Sequence, residues 1–177
     1  MQKIECLSQL EKNGTFKLTQ DVILPDSYTP LKEFTGTLDG NNHTIYNAST
    51  QLINTIEKNA LIKNLHIRNP TLTITTDKDH KAFFERNKGE IRNITVSNLT
   101  IKTHRHLQKY TIDLTAGLVL NNNNKISNCT VTASITGKIS FAGLIAARSY
   151  SREATENTPQ IINTTANGII SGISNLG

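Results

Sequence analysis

The sequence predicts an all-β chain wound as a coil of short strands, one solenoid domain over residues 1–177, on three observations. The first is a repeat. Four segments registered on Ile62, Ile91, Ile126 and Ile161 share the pattern Ile-x-Asn-x-x-aliphatic, which sets Asn64, Asn93, Asn128 and Asn163 in step at separations of 29, 35 and 35 residues. The second is composition. With 36% hydrophobic residues, 5% aromatics and no Trp, the core must be built from Ile, Leu and Val, while abundant Thr and Asn suit strands and turns. The third is the stretch Gly36-Thr37-Leu38-Asp39-Gly40-Asn41-Asn42-His43-Thr44-Ile45, which reads as a strand, a tight Asp-Gly-Asn turn and a second strand.

In chain order, Ile4, Leu7 and Leu10 fall at helical spacing, so residues 1–12 read as a short amphipathic helix stopped by Asn13-Gly14. That helix is placed to close the first coil. Residues 15–24 alternate as a strand pair, and Pro25 and Pro30 bracket a loop. The first coils occupy 13–47 and the repeats 48–177. Before each Ile-x-Asn motif stands a second apolar pair: Leu52-Ile53, Phe83-Phe84, Gly117-Leu118-Val119 or Gly143-Leu144-Ile145. From Leu52, Phe83 and Leu118 the motif Ile follows after 10, 8 and 8 residues, but from Leu144 after 17, which implies an insertion near 148–158. A third set of short strands follows each motif at Leu72-Thr73-Ile74, Leu99-Thr100-Ile101, Ser134-Ile135 and Ile169-Ile170.

Three short strands per repeat suit coils stacked roughly 4.8 Å apart, each pairing the edges of the last. Inward aliphatic residues then pile into columns. The in-step Asn residues sit at a corner, where Asn tolerates a left-handed backbone and its amide can bond the next coil in a ladder. The final stretch, Ser171 to Gly177, offers no polar cap. This end is expected either to fray or to pair with a second copy as a homodimer.

These residues resemble the GLUG-motif proteins, whose repeats read Gly-Leu-(Val/Phe)-Gly, a short polar turn, then Ile-x-Asn. The motif is partly kept in Gly117-Leu118-Val119 with Ile126-Ser127-Asn128, and in Gly143-Leu144-Ile145 with Ile161-Ile162-Asn163; Leu120 and Ala146 replace its final Gly. The resemblance covers roughly residues 13–172. It implies a right-handed parallel β-helix, a fold common in large surface proteins and adhesins.

The two cysteines, Cys6 and Cys129, are too few for a disulfide framework and lack metal-ligand spacing. The N-terminus has neither the basic region nor the apolar run of a signal peptide, and no apolar run approaches the ~20 residues that span a bilayer. A cytoplasmic protein without membrane contact is expected. The net charge of +5 is focused. Residues 81–109 hold Lys81, Arg86, Lys88, Arg92, Lys102, Arg105 and Lys109 against Glu85 and Glu90, which accounts for all of it.

Parallel β-helices can host polysaccharide lyases and hydrolases, so carboxylate clusters matter. Asp77, Asp79, Glu85, Glu90 and Asp113 do not recur in register, and Asp39 reads as a turn residue. Asp77-Lys78-Asp79-His80 carries a lysine among its ligands, and no phosphate loop or nucleophile elbow is present. No enzyme, metal or cofactor is expected. Seven Asn-x-Ser/Thr sequons, Asn93-Ile94-Thr95 and Asn128-Cys129-Thr130 among them, follow from composition. An ice-ordering Thr array would have to repeat on every coil, and only Thr130-Val131-Thr132 echoes Thr71–Thr76.

Recognition is therefore sought in the loops. Lys102, His104, Arg105, His106, Lys109 and Tyr110 form an acid-free basic stretch with an aromatic, Arg86 and Lys88 precede it, and Arg148 and Arg152 lie at the start of the later insertion. Basic residues interleaved with Tyr grip phosphates and stack on bases, and they fit an acidic protein surface equally well. The resulting expectation is a non-enzymatic interaction protein acting on an acidic or nucleic-acid-handling complex, as a phage anti-defence inhibitor would. The alternative is an adhesin or glycan-binding β-helix fragment.

Overall fold

The computed structural model describes residues 1–75, 81–103, 114–137, 141–150 and 158–172. The chain opens with β1 (Gln2–Ile4), then β2 (Thr15–Leu18) and β3 (Val22–Ile23). Next come β4 (Leu31–Phe34), β5 (Thr37–Asp39) and β6 (Thr44–Tyr46), followed by β7 (Ile53–Ile56), β8 (Leu61–Arg68) and β9 (Thr71–Ile74). The later strands are β10 (Phe84–Asn87), β11 (Glu90–Thr103), β12 (Leu114–Ala116), β13 (Val119–Asn122), β14 (Lys125–Ser127), β15 (Thr130–Thr136) and β16 (Phe141–Gly143). The last are β17 (Ala146–Ser149), β18 (Gln160–Ile162) and β19 (Thr165–Ser171).

Every pairing between these strands is parallel, and each joins a strand to its counterpart one coil away. The chain is thus a parallel β-helix. One wall is the sheet β4-β7-β10-β13-β17, β12 and β16 form a separate two-stranded sheet, and the other strands belong to a long sheet that bends at its corners and runs from β1 through β2, β5, β8, β11 and β14 to β18. Coil length grows along the stack. The register Phe16–Leu38–Ile62–Ile91–Ile126–Ile161 spaces successive coils by 22, 24, 29, 35 and 35 residues. The expected insertion is also present. Asn122 pairs with Ser149 and Lys125 with Gln160, which places eight extra residues between the last two.

That register is an apolar column, aliphatic after Phe16, and a second runs Val22–Ile45–Ile67–Val96–Val131–Ala166. Their members up to the penultimate coil are at most 3% exposed. Each such Ile or Val contributes about 1.5–3 kcal/mol by leaving water, so the columns dominate the stability of the stack.

Asparagine turns the corners. The described non-glycine residues with left-handed backbone are Asn41, Asn42, Asn47, Asn59, Asn64, Asn69, Asn93, Asn98, Asn128 and Asn163, every one an asparagine. Asn93 Nδ2 donates to Asn64 Oδ1 at 2.9 Å, and Asn64 Nδ2 donates to Asp39 Oδ1 at 3.0 Å, so Asp39 is the first rung of the ladder. A second ladder, in which Asn98 Nδ2 donates to Asn69 Oδ1 at 3.0 Å, has no counterpart in the repeat pattern.

Burial works to raise the Asp39 carboxyl pKa, but the Asn41 N–H, the Asn64 amide and Lys63 outweigh it and hold the carboxyl below the usual carboxylate range. A depressed folded-state pKa stabilises the fold above the unfolded value and loses that contribution as pH falls through the folded value. Denaturant midpoints should therefore drop below about pH 4. Asp39→Asn should flatten that drop, and an unchanged acid limb would remove Asp39 from the ladder's energetics.

The N-terminal segment corrects one expectation. Residues 1–12 form no α-helix. Gln2–Ile4 pairs with Phe16–Leu18 as β1, and Leu7–Gln9 is a single 3-10 turn after an extended Cys6. Ile4, Leu7 and Leu10 are buried as the spacing implied, but Gln2–Ile4 is drawn into parallel pairing with β2, which leaves only one helical turn. Gln9 Oε1 accepts from the Glu5 and Cys6 N–H groups and fixes that turn over the end of the core.

Candidate recognition surface

Strand alternation points every second side chain outward, so each outward position becomes a column with one member per coil. The wall of β2, β5, the start of β8, the start of β11 and β14 carries charge. Its column Lys17–Asp39–Lys63–Arg92–Ser127 alternates sign at the start, and Lys63 Nζ lies 3.2 Å from Asp39 Oδ2. In the neighbouring column Lys125 Nζ lies 3.5 Å from Glu90 Oε1. These pairs act between coils.

The basic residues singled out in the sequence do not gather on one face. Arg86 and Arg148 share a column on the wall of β10 and β17, with Asn121 between them, and so lie two rungs or roughly 10 Å apart. Lys88 Nζ donates to both carboxylate oxygens of Glu57 at 3.1 Å. Lys102 stands exposed at the end of β11, on a different wall. Arg92 is on the charged wall. The structure therefore brings Arg86 and Arg148 together, engages the neighbouring Lys88 with Glu57 and places Lys102 on another wall. His104, Arg105, His106, Lys109, Tyr110 and Arg152 lie outside the described residues, as does the Asp77–His80 segment.

Another wall carries hydroxyls. It comprises β6, the end of β8, β9, the middle and end of β11, β15 and β19. Its first column is Thr44–His66–Thr95–Thr130–Thr165. Its third is Thr71–Thr100–Ser134–Ile169, and its fourth Thr73–Lys102–Thr136–Ser171. Between them lie Ser97 and the pair Thr132–Asn167. Arg68 and Lys102 are the charged residues in these columns. Neighbouring rungs are about 4.8 Å apart, so each column is a row, mostly of Thr and Ser, and the Asn69 and Asn98 corners part the first two columns from the last two.

Reading Thr71–Thr76 as an isolated run missed this wall, because its hydroxyls are adjacent across coils and not along the chain. The sequons held the signal. Asn93-x-Thr95, Asn128-x-Thr130 and Asn163-x-Thr165 each place a corner Asn two residues before an outward Thr.

At the N-terminal end an open cleft of about 960 Å³ is lined by Leu7, Leu10, Pro25, Tyr28, Pro30 and Leu31, among others. Its aromatic residue is committed elsewhere. The Tyr28 hydroxyl donates to the Leu52 carbonyl at 2.8 Å, and burial pushes its pKa up to about 12.

No known family profile matches the chain, and no solved structure matches it. One curated protein is similar in part: halomucin of Haloquadratum walsbyi, 37% identical over 76 residues. The match covers 38% of this chain and spans about 1% of halomucin. No helix among the described residues is long and apolar enough to cross a membrane.

Proposed function

We propose that the chain is a non-catalytic recognition protein whose hydroxyl wall binds neutral polysaccharide, in the manner of an adhesin or glycan-binding β-helix. The observation that carries this reading is the set of hydroxyl columns, in which Thr and Ser predominate beside His66, Asn167, Ile169 and two cations. Thr is stiff at χ1, so a column on a rigid ladder holds its hydroxyls and methyls in fixed rows. A partner that covers such a wall must pair its hydroxyls or leave each one unsatisfied, at about 1–3 kcal/mol apiece. A sugar chain answers both rows, with hydroxyls for the hydroxyls and a C–H face for the methyls. The partial likeness to halomucin supports the same reading. We assign the repeats to the GLUG type on the motif residues alone.

A glycan array provides the test. The protein should bind neutral polysaccharides, and Thr95→Val with Thr130→Val, which keep shape and remove two hydroxyls, should weaken binding about tenfold. Unchanged binding by that double variant would overturn the assignment. A second reading places the function in the basic segment. Lys102 pairs with Thr136 and Leu114 with Phe141, so the connection through residues 103–113 is seven residues longer than the one a coil later. A lysate partner lost on charge reversal at Arg105 and Lys109 would favour that reading, and its survival after nuclease would identify a protein target.

A further inference from the structure

We infer, building on the glycan reading above, that Tyr46 and Arg68 anchor the hydroxyl columns: one neutral pyranose with equatorial hydroxyls stacks there, and the rest of its chain runs along the coil axis.

The pairing of β3, β6, β8 and β11 sets Ile23, Tyr46, Arg68 and Ser97 in one column, and Thr44, His66 and Thr95 in the column beside it. Both columns point outward, because Val22, Ile45, Ile67 and Val96 between them are buried. Tyr46 is half-buried and Arg68 exposed. Each has a paired strand on both sides, so its exposure is lateral and does not depend on where the chain begins or ends. The Asn69 and Asn98 corners part these columns from the last two, and the segments 76–80, 104–113 and 138–140, outside the described residues, follow the last two columns and not these.

The charges around this pair balance. Arg68 makes no ion pair among the described residues. Asp21, whose side chain is 51% exposed, accepts the Thr44 N–H at 2.9 Å and lies 3.2 Å from His43 Nδ1. The Thr44 N–H foremost, then the His43 contact, outweigh burial and hold its carboxyl below the usual carboxylate range, so it is ionised at neutral pH. His66, on the same strand as Arg68, lies within electrostatic reach of that carboxylate. An anion drawn to Arg68 would meet Asp21, and a cation drawn to Asp21 would meet Arg68.

A neutral polyol answers both signs, since a sugar hydroxyl donates to the carboxylate and adjacent hydroxyls accept from the planar guanidinium fork. The Tyr46 ring asks for a C–H face, which a pyranose presents when its hydroxyls are equatorial. Beyond Arg68 the columns continue through Thr95 and Ser97 to Thr130, three rungs or roughly 14 Å from the level of Tyr46. A chain that leaves the anchor along these rows finds hydroxyl partners at each rung, whereas one that crosses them meets the Asn69 and Asn98 corners.

Native affinity electrophoresis with hydroxyethyl cellulose, together with an NMR titration with cellobiose, provides the test. The polymer should retard the protein, and Tyr46→Ala and Arg68→Ala should each weaken that binding at least about tenfold, while Tyr46→Phe keeps it. Arg68 is exposed, so its variant should fold, with far-UV circular dichroism as the check. Lys17→Ala, on the charged wall, should leave binding intact. Cellobiose is too short to span the anchor and Thr130, so it should shift the amides of Tyr46 and Arg68 but not that of Thr130. Full binding by Tyr46→Ala and Arg68→Ala, no retardation by hydroxyethyl cellulose, or stronger retardation by carboxymethyl cellulose at high salt would each overturn the anchor. Failure of every neutral polysaccharide on the glycan array would instead overturn the glycan reading itself.

Discussion

Phe84→Ala is expected to lower the unfolding free energy by about 3–5 kcal/mol, the largest effect of any single substitution considered for this chain. Phe84 is 1% exposed and sits in the column between Ile53 and Val119, where it joins coils of different length. Its neighbours are held by backbone ladders on both sides and cannot collapse into the space. The cavity term therefore adds to the lost transfer term. Chemical denaturation gives the number, and a loss below about 1.5 kcal/mol would mean that this part of the core repacks freely.

Gly40→Ala should cost about 2–3 kcal/mol by the opposite mechanism, crowding. A Cβ at Gly40 would stand 2.4 Å from the Asn64 carbonyl oxygen and 2.8 Å from Leu65 Cβ. That oxygen cannot retreat, because it accepts the Asn42 N–H at 2.8 Å, while Gly40 N–H donates to the Lys63 carbonyl at 2.8 Å. Asn64 is also a rung of the amide ladder, so the strain is set against the corner that aligns the coils. Urea midpoints report it, and a neutral outcome would show that neighbouring coils can part by several tenths of an ångström.

The architecture was legible where the sequence repeats itself. Ile62, Ile91, Ile126 and Ile161 are one column in the structure, and Asn64, Asn93, Asn128 and Asn163 all have left-handed backbone. The early coils were harder to see. Phe16 and Leu38 belong to that column but lack the Ile-x-Asn signature, and their coils are short. Residues 1–12 were misread as helix because a spacing of three between Leu7 and Leu10 fits one 3-10 turn as well as an α-helix.

The surface was less legible than the core. Charge was counted along the chain, whereas a solenoid sorts it by wall: Arg86, Arg92 and Lys102 lie within 17 residues of sequence and on three walls. Hydroxyls work the other way, since Thr95, Thr130 and Thr165 are 35 residues apart yet adjacent in space.

The growth in coil length bears on how the chain avoids misassembly. A solenoid of identical repeats can slip by one whole coil and still pair every strand, because each rung looks like the next. Here a one-coil slip among the early turns would set a coil of 22 residues against one of 24, or one of 24 against one of 29, and throw the corner asparagines out of step. The last two intervals are both 35 residues, but their extra length sits in different places, before Leu114 in one and between Ser149 and Gln160 in the other, so they do not interchange either. The unequal turns act as a counting device that tells the chain which coil it is winding.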